Sequence, residues 1–131
     1  MKQFNVKPSI IPIGKILNST FQSAWVPLQQ VLSYGIQIEF SSSCSGVFSL
    51  QASCDPVGQA LATGNLTATL NAPVNFGTID NSSFTVVAGG VVTWNYELPP
   101  GYNWVRVSYV DNSSGAGTGT VTSVQVSCKG I

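Results

Sequence analysis

The chain has 131 residues, zero formal net charge and no histidine, with 44% apolar and 8% charged residues. That length makes one domain of ordinary size, and the charged share is about a third of the ~25% usual in soluble domains. Without histidine, Ser–His and Cys–His nucleophile pairs are excluded, and five dispersed bases make no stripe that would replace counterions along nucleic acid.

The first twenty residues read as an extended arm. Val6 to Gly14 mixes apolar residues with Pro8 and Pro12, and proline fixes φ and biases the preceding residue toward extended geometry. Ile10, Ile11, Ile13, Ile16 and Leu17 are too apolar for a solvated tail and must pack on this domain or on a neighbour. Arm exchange between subunits is the sharper expectation; a first strand of the domain's own sheet is the plainer one. Asn5, Lys7, Pro8 and Pro12 interrupt any apolar run of the kind a signal peptide needs, so the chain is expected to accumulate in the cytoplasm where it is made, or to leave without a cleaved signal.

From Phe21 onward the apolar period is two. The exception is Trp25 to Leu32, where Pro27 and the valines weaken a helix. Tyr34, Ile36, Ile38 and Phe40 alternate with Gly35, Gln37 and Glu39, a half-buried strand. After the Ser41–Gly46 turn cluster, Phe48, Leu50 and Ala52 alternate with Ser49, Gln51 and Ser53, which predicts a hairpin partner. Leu66, Ala68 and Leu70 suggest a further strand, and Asn71 to Thr78 a loop crossing between sheets. Gly89-Gly90 between two valine-rich runs is a two-residue hairpin signal. Val105, Val107 and Tyr109 face inward opposite Trp104, Arg106 and Ser108, and Val124 and Val126 face inward on a last strand. Roughly seven or eight short strands at roughly 8–12 residue spacing predict an all-β fold, a single antiparallel β-sandwich of jelly-roll type. The arm would occupy residues 1–20 and the sandwich residues 21–131. No run approaches the length of a membrane helix.

Chemistry-bearing residues are sparse. Glu39 and Glu97 are the acids to weigh as a glycosidase pair, and nothing in the sequence brings them together. Cys44, Cys54 and Cys128 are an odd count with no CxxC spacing, so neither a disulfide framework nor a zinc site is expected. If 47–54 is one strand, Cys54 lies ~20–25 Å from the turn carrying Cys44 at ~3.3 Å per residue, too far to bridge. Cys128 stays within reach of either, and free thiols in a reducing cytosol are the reading adopted. Asp111-Asn112-Ser113 fits an Asx-turn better than a calcium loop. Sequons at Asn18, Asn65, Asn81 and Asn112 are expected to be silent without a secretory signal. Trp25, Trp94, Tyr96, Tyr102, Trp104 and Tyr109, with Trp104 foremost, form a candidate aromatic platform for a sugar ring, or else Trp94 and Trp104 cover the ends of the core. Arg106, alone in an apolar strand, calls for a fixed partner or an interface role. No metal and no cofactor are implied.

Tyr102-Asn103-Trp104-Val105-Arg106-Val107-Ser108-Tyr109, then Ser114-Gly115-Ala116-Gly117-Thr118-Gly119-Thr120, then Ser127-Cys128-Lys129-Gly130, resembles the C-terminal part of small β-sandwich structural proteins of tailed bacteriophages. Gly46 to Ser53 resembles an earlier strand of the same group. The likeness covers roughly residues 34–130; the arm before Phe21 is unmatched, and the three cysteines within that span belong to no pattern of the group. The resemblance implies a non-enzymatic virion protein, a capsid decoration (cement) or minor head protein, made in the host cytoplasm. Its partners would be the major capsid protein or other virion proteins, with homo-oligomers expected and no nucleic acid or membrane. A carbohydrate- or receptor-binding module of a tail fibre or secreted enzyme is the alternative, resting on Trp104, Tyr102 and Trp94 with a glycan as partner.

Overall fold

The computed structural model describes residues 2–6, 10–28, 31–55, 73–97 and 101–130. All ten elements there are strands: β1 (Lys2–Val6), β2 (Phe21–Gln22), β3 (Val26–Pro27), β4 (Val31–Ser41), β5 (Gly46–Ser53), β6 (Gly77–Thr78), β7 (Phe84–Val86), β8 (Gly90–Glu97), β9 (Trp104–Asp111) and β10 (Thr120–Gly130). The strand expected over Leu66–Leu70 lies outside the described residues. No helix among them is long and apolar enough to cross a membrane.

Two antiparallel sheets pack face to face. The first has the order β1-β10-β4-β8; the second has β2-β9-β5-β6, with β3 also on β9 and β7 also on β5. The pairing is nested. β1 meets β10, β2 and β3 meet β9, β4 meets β8, and β5 meets β6 and β7. The β10–β4 and β9–β5 pairings complete the two sheets.

Period two decides which side chains fill the space between the sheets. Tyr34, Ile36, Ile38 and Phe40 from β4, and Trp94 and Val92 from β8, face Phe48 and Leu50 from β5 and Val105, Val107 and Tyr109 from β9, all buried. The Phe48 ring sits at the centre, 4.7 Å from Tyr109 and 5.4 Å from Phe40 between centroids. At Gly46 a Cβ would come within 2.5 Å of the Tyr109 ring, so this ring can lie flat only over a glycine.

Two expected hairpins are not formed. β4 and β5 lie in different sheets, as do β7 and β8, so the Ser41–Gly46 and Gly89–Gly90 turns carry the chain across the sandwich. Alternation fixes the inward face of a strand, and a short turn can satisfy it across the core as well as beside it.

The N-terminal segment belongs to this domain. β1 pairs along its whole length with β10, as the plainer expectation had it. Gly14 N–H donates to Val121 O (2.8 Å), Val121 N–H to Lys15 O (2.9 Å) and Leu17 N–H to Gly119 O (2.8 Å). Ile10, Ile11 and Leu17 are buried in the core, while Ile13 and Ile16 are 59% and 46% exposed. The five-residue docking arm is therefore corrected to two exposed isoleucines, because three of the five side chains already cover this chain's own core.

Candidate functional site

The expected aromatic platform does not form. Trp94 takes an inward position opposite Ile36, is 3% exposed and donates its indole N–H to Ser82 O at 2.7 Å. Trp104 lies on the outer face of the second sheet but is covered to 6% exposure, with its N–H on Asp55 O at 3.1 Å. Tyr102 is half-buried against the core. No flat ring among these three is left for a sugar: Trp94 is part of the core and Tyr102 packs against it, while Trp104 is covered on the outer face of the second sheet.

Arg106 is different. It points outward from β9 opposite Gln51 of β5, and its Nε–H donates to Gln51 Oε1 at 2.7 Å. Two aromatic rings pack against one side of the guanidinium. Its Cζ lies 4.3 Å from the Trp25 ring centroid and 4.5 Å from that of Phe76, and the two rings meet edge to face, 5.6 Å apart at 63°. The fixed partner expected for Arg106 is thus a side-chain amide and two rings.

Local structure explains why Trp25 arrives there. Gln22 pairs with Ser108 and Val26 with Val105, so residues 23–25 face only Arg106 and Val107. The extra residue is a bulge, which bends the strand and re-aims a side chain. Ser23 holds it in place: its N–H donates to Val107 O (2.8 Å), and its hydroxyl accepts from Val107 N–H (2.9 Å). Ala24 N–H donates to Ile10 O at 2.9 Å, which ties the bulge to the buried N-terminal segment.

Phe76 is brought in from the other side by Asp55. The Asp55 carboxylate accepts from Val74 N–H (2.7 Å) and Asn75 N–H (3.0 Å), and the Ser53 hydroxyl donates to Asn75 O. These backbone donors, Asn75 and then Val74, hold the Asp55 carboxyl below its ordinary pKa. Phe76 itself is 48% exposed, so part of its ring stays open to solvent beside the arginine.

The chemistry of the cluster is that of recognition. The ring faces use the guanidinium's π-surface and Gln51 uses Nε, which leaves the Nη edge with its in-plane donors. Asp55 is committed to backbone, and Asp111 to Ser113 and Gly115 in the expected Asx-turn. Glu39 and Glu97 sit on the other sheet. Their ladder positions differ by six residues, opposite Val91 and Ser33, or about 20 Å along the strand, so they form no hydrolytic pair. Among the described residues no three His, Cys, Asp or Glu side chains are grouped to hold a metal. The three thiols are free, Cys44 and Cys128 buried and Cys54 exposed.

A second feature lies on the outer face of the first sheet. Gly35 leaves the floor of a groove of about 370 Å³, lined by Gln37, Thr93, Asn95, Gln125 and Ser127. These are neutral hydrogen-bonding groups with no exposed ring among them.

Sequence reasoning singled out Arg106, and Trp25 only as one of several candidate platform aromatics, but missed Phe76 and the pairing with Gln51. Alternation places Gln51 and Arg106 outward; the bulge and the Asp55 clamp that bring the rings have no such signature. A scan against protein-family models and a search of curated proteins give no match to this chain.

Proposed function

We propose that the chain is a non-enzymatic structural protein of a tailed-phage virion, a capsid decoration (cement) or minor head protein, made in the host cytoplasm and adhering to the major capsid protein or other virion proteins. The observation that carries this reading is the surface. It is almost uncharged, it exposes Val74, Phe76, Val87, Val91 and Val110, and the outer face of the second sheet carries one arginine packed against two aromatic rings. Such a surface loses little by desolvation when covered, and aromatic residues with arginine are the usual anchors of interfaces. The nested strand pairing also supports a jelly roll, a fold common among capsid and lectin domains; that is analogy of fold and bears on function only weakly.

Mass spectrometry of virions purified from the phage that encodes the chain tests the proposal. The chain is expected in the particle at a stoichiometric copy number. Its absence from intact particles, or a gene with no phage around it, would end this reading.

Carbohydrate binding is the second reading, and the Gly35 groove now carries it in place of the tryptophans. A glycan array would show saturable binding that falls at least roughly tenfold in Asn95→Ala, since buried polar groups left unpaired by ligand loss are costly.

A further inference from the structure

We propose that the Nη edge of Arg106 is a carboxylate-binding site that receives an acidic side chain of a partner protein. Arg106 is the chain's only arginine, half-buried in the middle of an outer sheet face. Burial alone pulls its pKa down, the sign of a cation desolvated without a charged partner. Trp25 and Phe76 lie 4.3 and 4.5 Å from Cζ with their centroids only 5.6 Å apart, so both pack against one side of the guanidinium, and Nε is bound to Gln51; together these contacts restrict its orientation. A pre-oriented guanidinium edge matches a carboxylate bidentately, and less rotamer freedom remains to be lost on binding.

The shape of the site selects the source. The rings meet at 63°, leaving no flat platform for a pyranose. The partly exposed Phe76 ring beside the arginine suits the aliphatic flank of a peptide. The fitting partner is therefore a Glu or Asp with apolar neighbours. The inference rests on the adhesive reading only in naming a protein as the source of the carboxylate; virion composition and carboxylate binding are measured separately and can fail separately.

With one arginine in the chain, its Nε–H gives a single NMR signal in the arginine side-chain region. The full chain would be titrated at constant ionic strength with acetyl-Leu-Glu-Leu-amide and with its glutamine counterpart. Expected are a saturable shift of the Nε–H signal and of the neighbouring backbone amides with the glutamate peptide, binding about tenfold weaker with glutamine as charge assistance is lost, and a similar loss in Trp25→Ala and in Arg106→Lys, the last read from the backbone amide shifts because its Nε–H signal is gone. Arg106→Lys keeps the charge and removes the fork, and the amide spectrum of each variant reports whether it is folded. Gln51→Ala, which leaves the rings in place, is the second variant should Trp25→Ala unfold; it too should weaken binding. Equal response to the two peptides, no saturation, or undiminished binding in Arg106→Lys would overturn the site. Tighter binding of methyl glucuronide than of the glutamate peptide would overturn the protein partner in favour of an acidic glycan.

Discussion

The three thiols separate by environment. Burial raises the pKa of Cys44 and Cys128, whereas Cys54 is exposed, and only a thiolate at the surface reacts quickly. A thiol reagent at pH 8 should therefore modify one cysteine per folded chain and three after denaturation, with Cys54→Ser abolishing the fast reaction. Asp55 gives a pH prediction of defined sign. Its folded pKa lies below the unfolded value, so its contribution is complete above the unfolded value near ~3.9 and is lost as pH falls through the lower folded value. Urea midpoints measured between pH 6 and 2 should fall more steeply for the natural chain than for Asp55→Ala. Asp111, held low chiefly by the Ser113 hydroxyl and then its N–H, should behave the same way.

At the scale of elements, the N-terminal segment is the piece whose role changed most between sequence and structure. β1 completes the first sheet, and Ile10, Ile11 and Leu17 close the core. Deleting residues 1–18 should leave a largely unfolded chain, since each such side chain costs ~2–5 kcal/mol when cut to alanine and a single domain has only ~5–15 kcal/mol to lose. Circular dichroism and the denaturant midpoint measure this; a truncated chain with native stability would show that the segment is dispensable. The glycines of the 115–119 loop illustrate why an element end can be legible. Gly115 has φ +85°, and a Cβ at Gly117 or Gly119 would run into the Leu17 or Ser41 carbonyl, as their clustering in the sequence implies.

For the whole molecule, the remaining exposed isoleucines offer the cleaner test of self-association. Ile13 and Ile16 can be changed without opening the core, so Ile13→Asp with Ile16→Asp should keep the native stability to within ~1 kcal/mol. Light scattering should find a defined oligomer for the natural chain and a monomer for the double variant, if these two residues are the part of the expected arm that docks on a neighbour. The loops at that end of the sandwich are already cross-linked by backbone bonds, Thr118 and Gly119 N–H to Ser43 O and Asn112 N–H to Ser45 O. The isoleucines would thus be presented on a rigid base, which lowers the ordering cost of association.

What the sequence determined by itself was the all-β class and the identity of most core residues. Strict alternation at Tyr34–Phe40, Phe48–Ala52, Val105–Tyr109 and Val124–Val126 turned into buried faces in every case, because the pleat allows one choice of side per residue. What only the tertiary structure decided was which strand lies beside which, and therefore the site. A short turn serves equally to pair two strands or to send the second to the opposite sheet, and both choices bury the same residues. Trp25 and Phe76 meet over Arg106 through a bulge on one strand and a carboxylate clamp 19 and 20 residues along the chain from its backbone partners. Long-range closure of this kind leaves no period in the sequence to read.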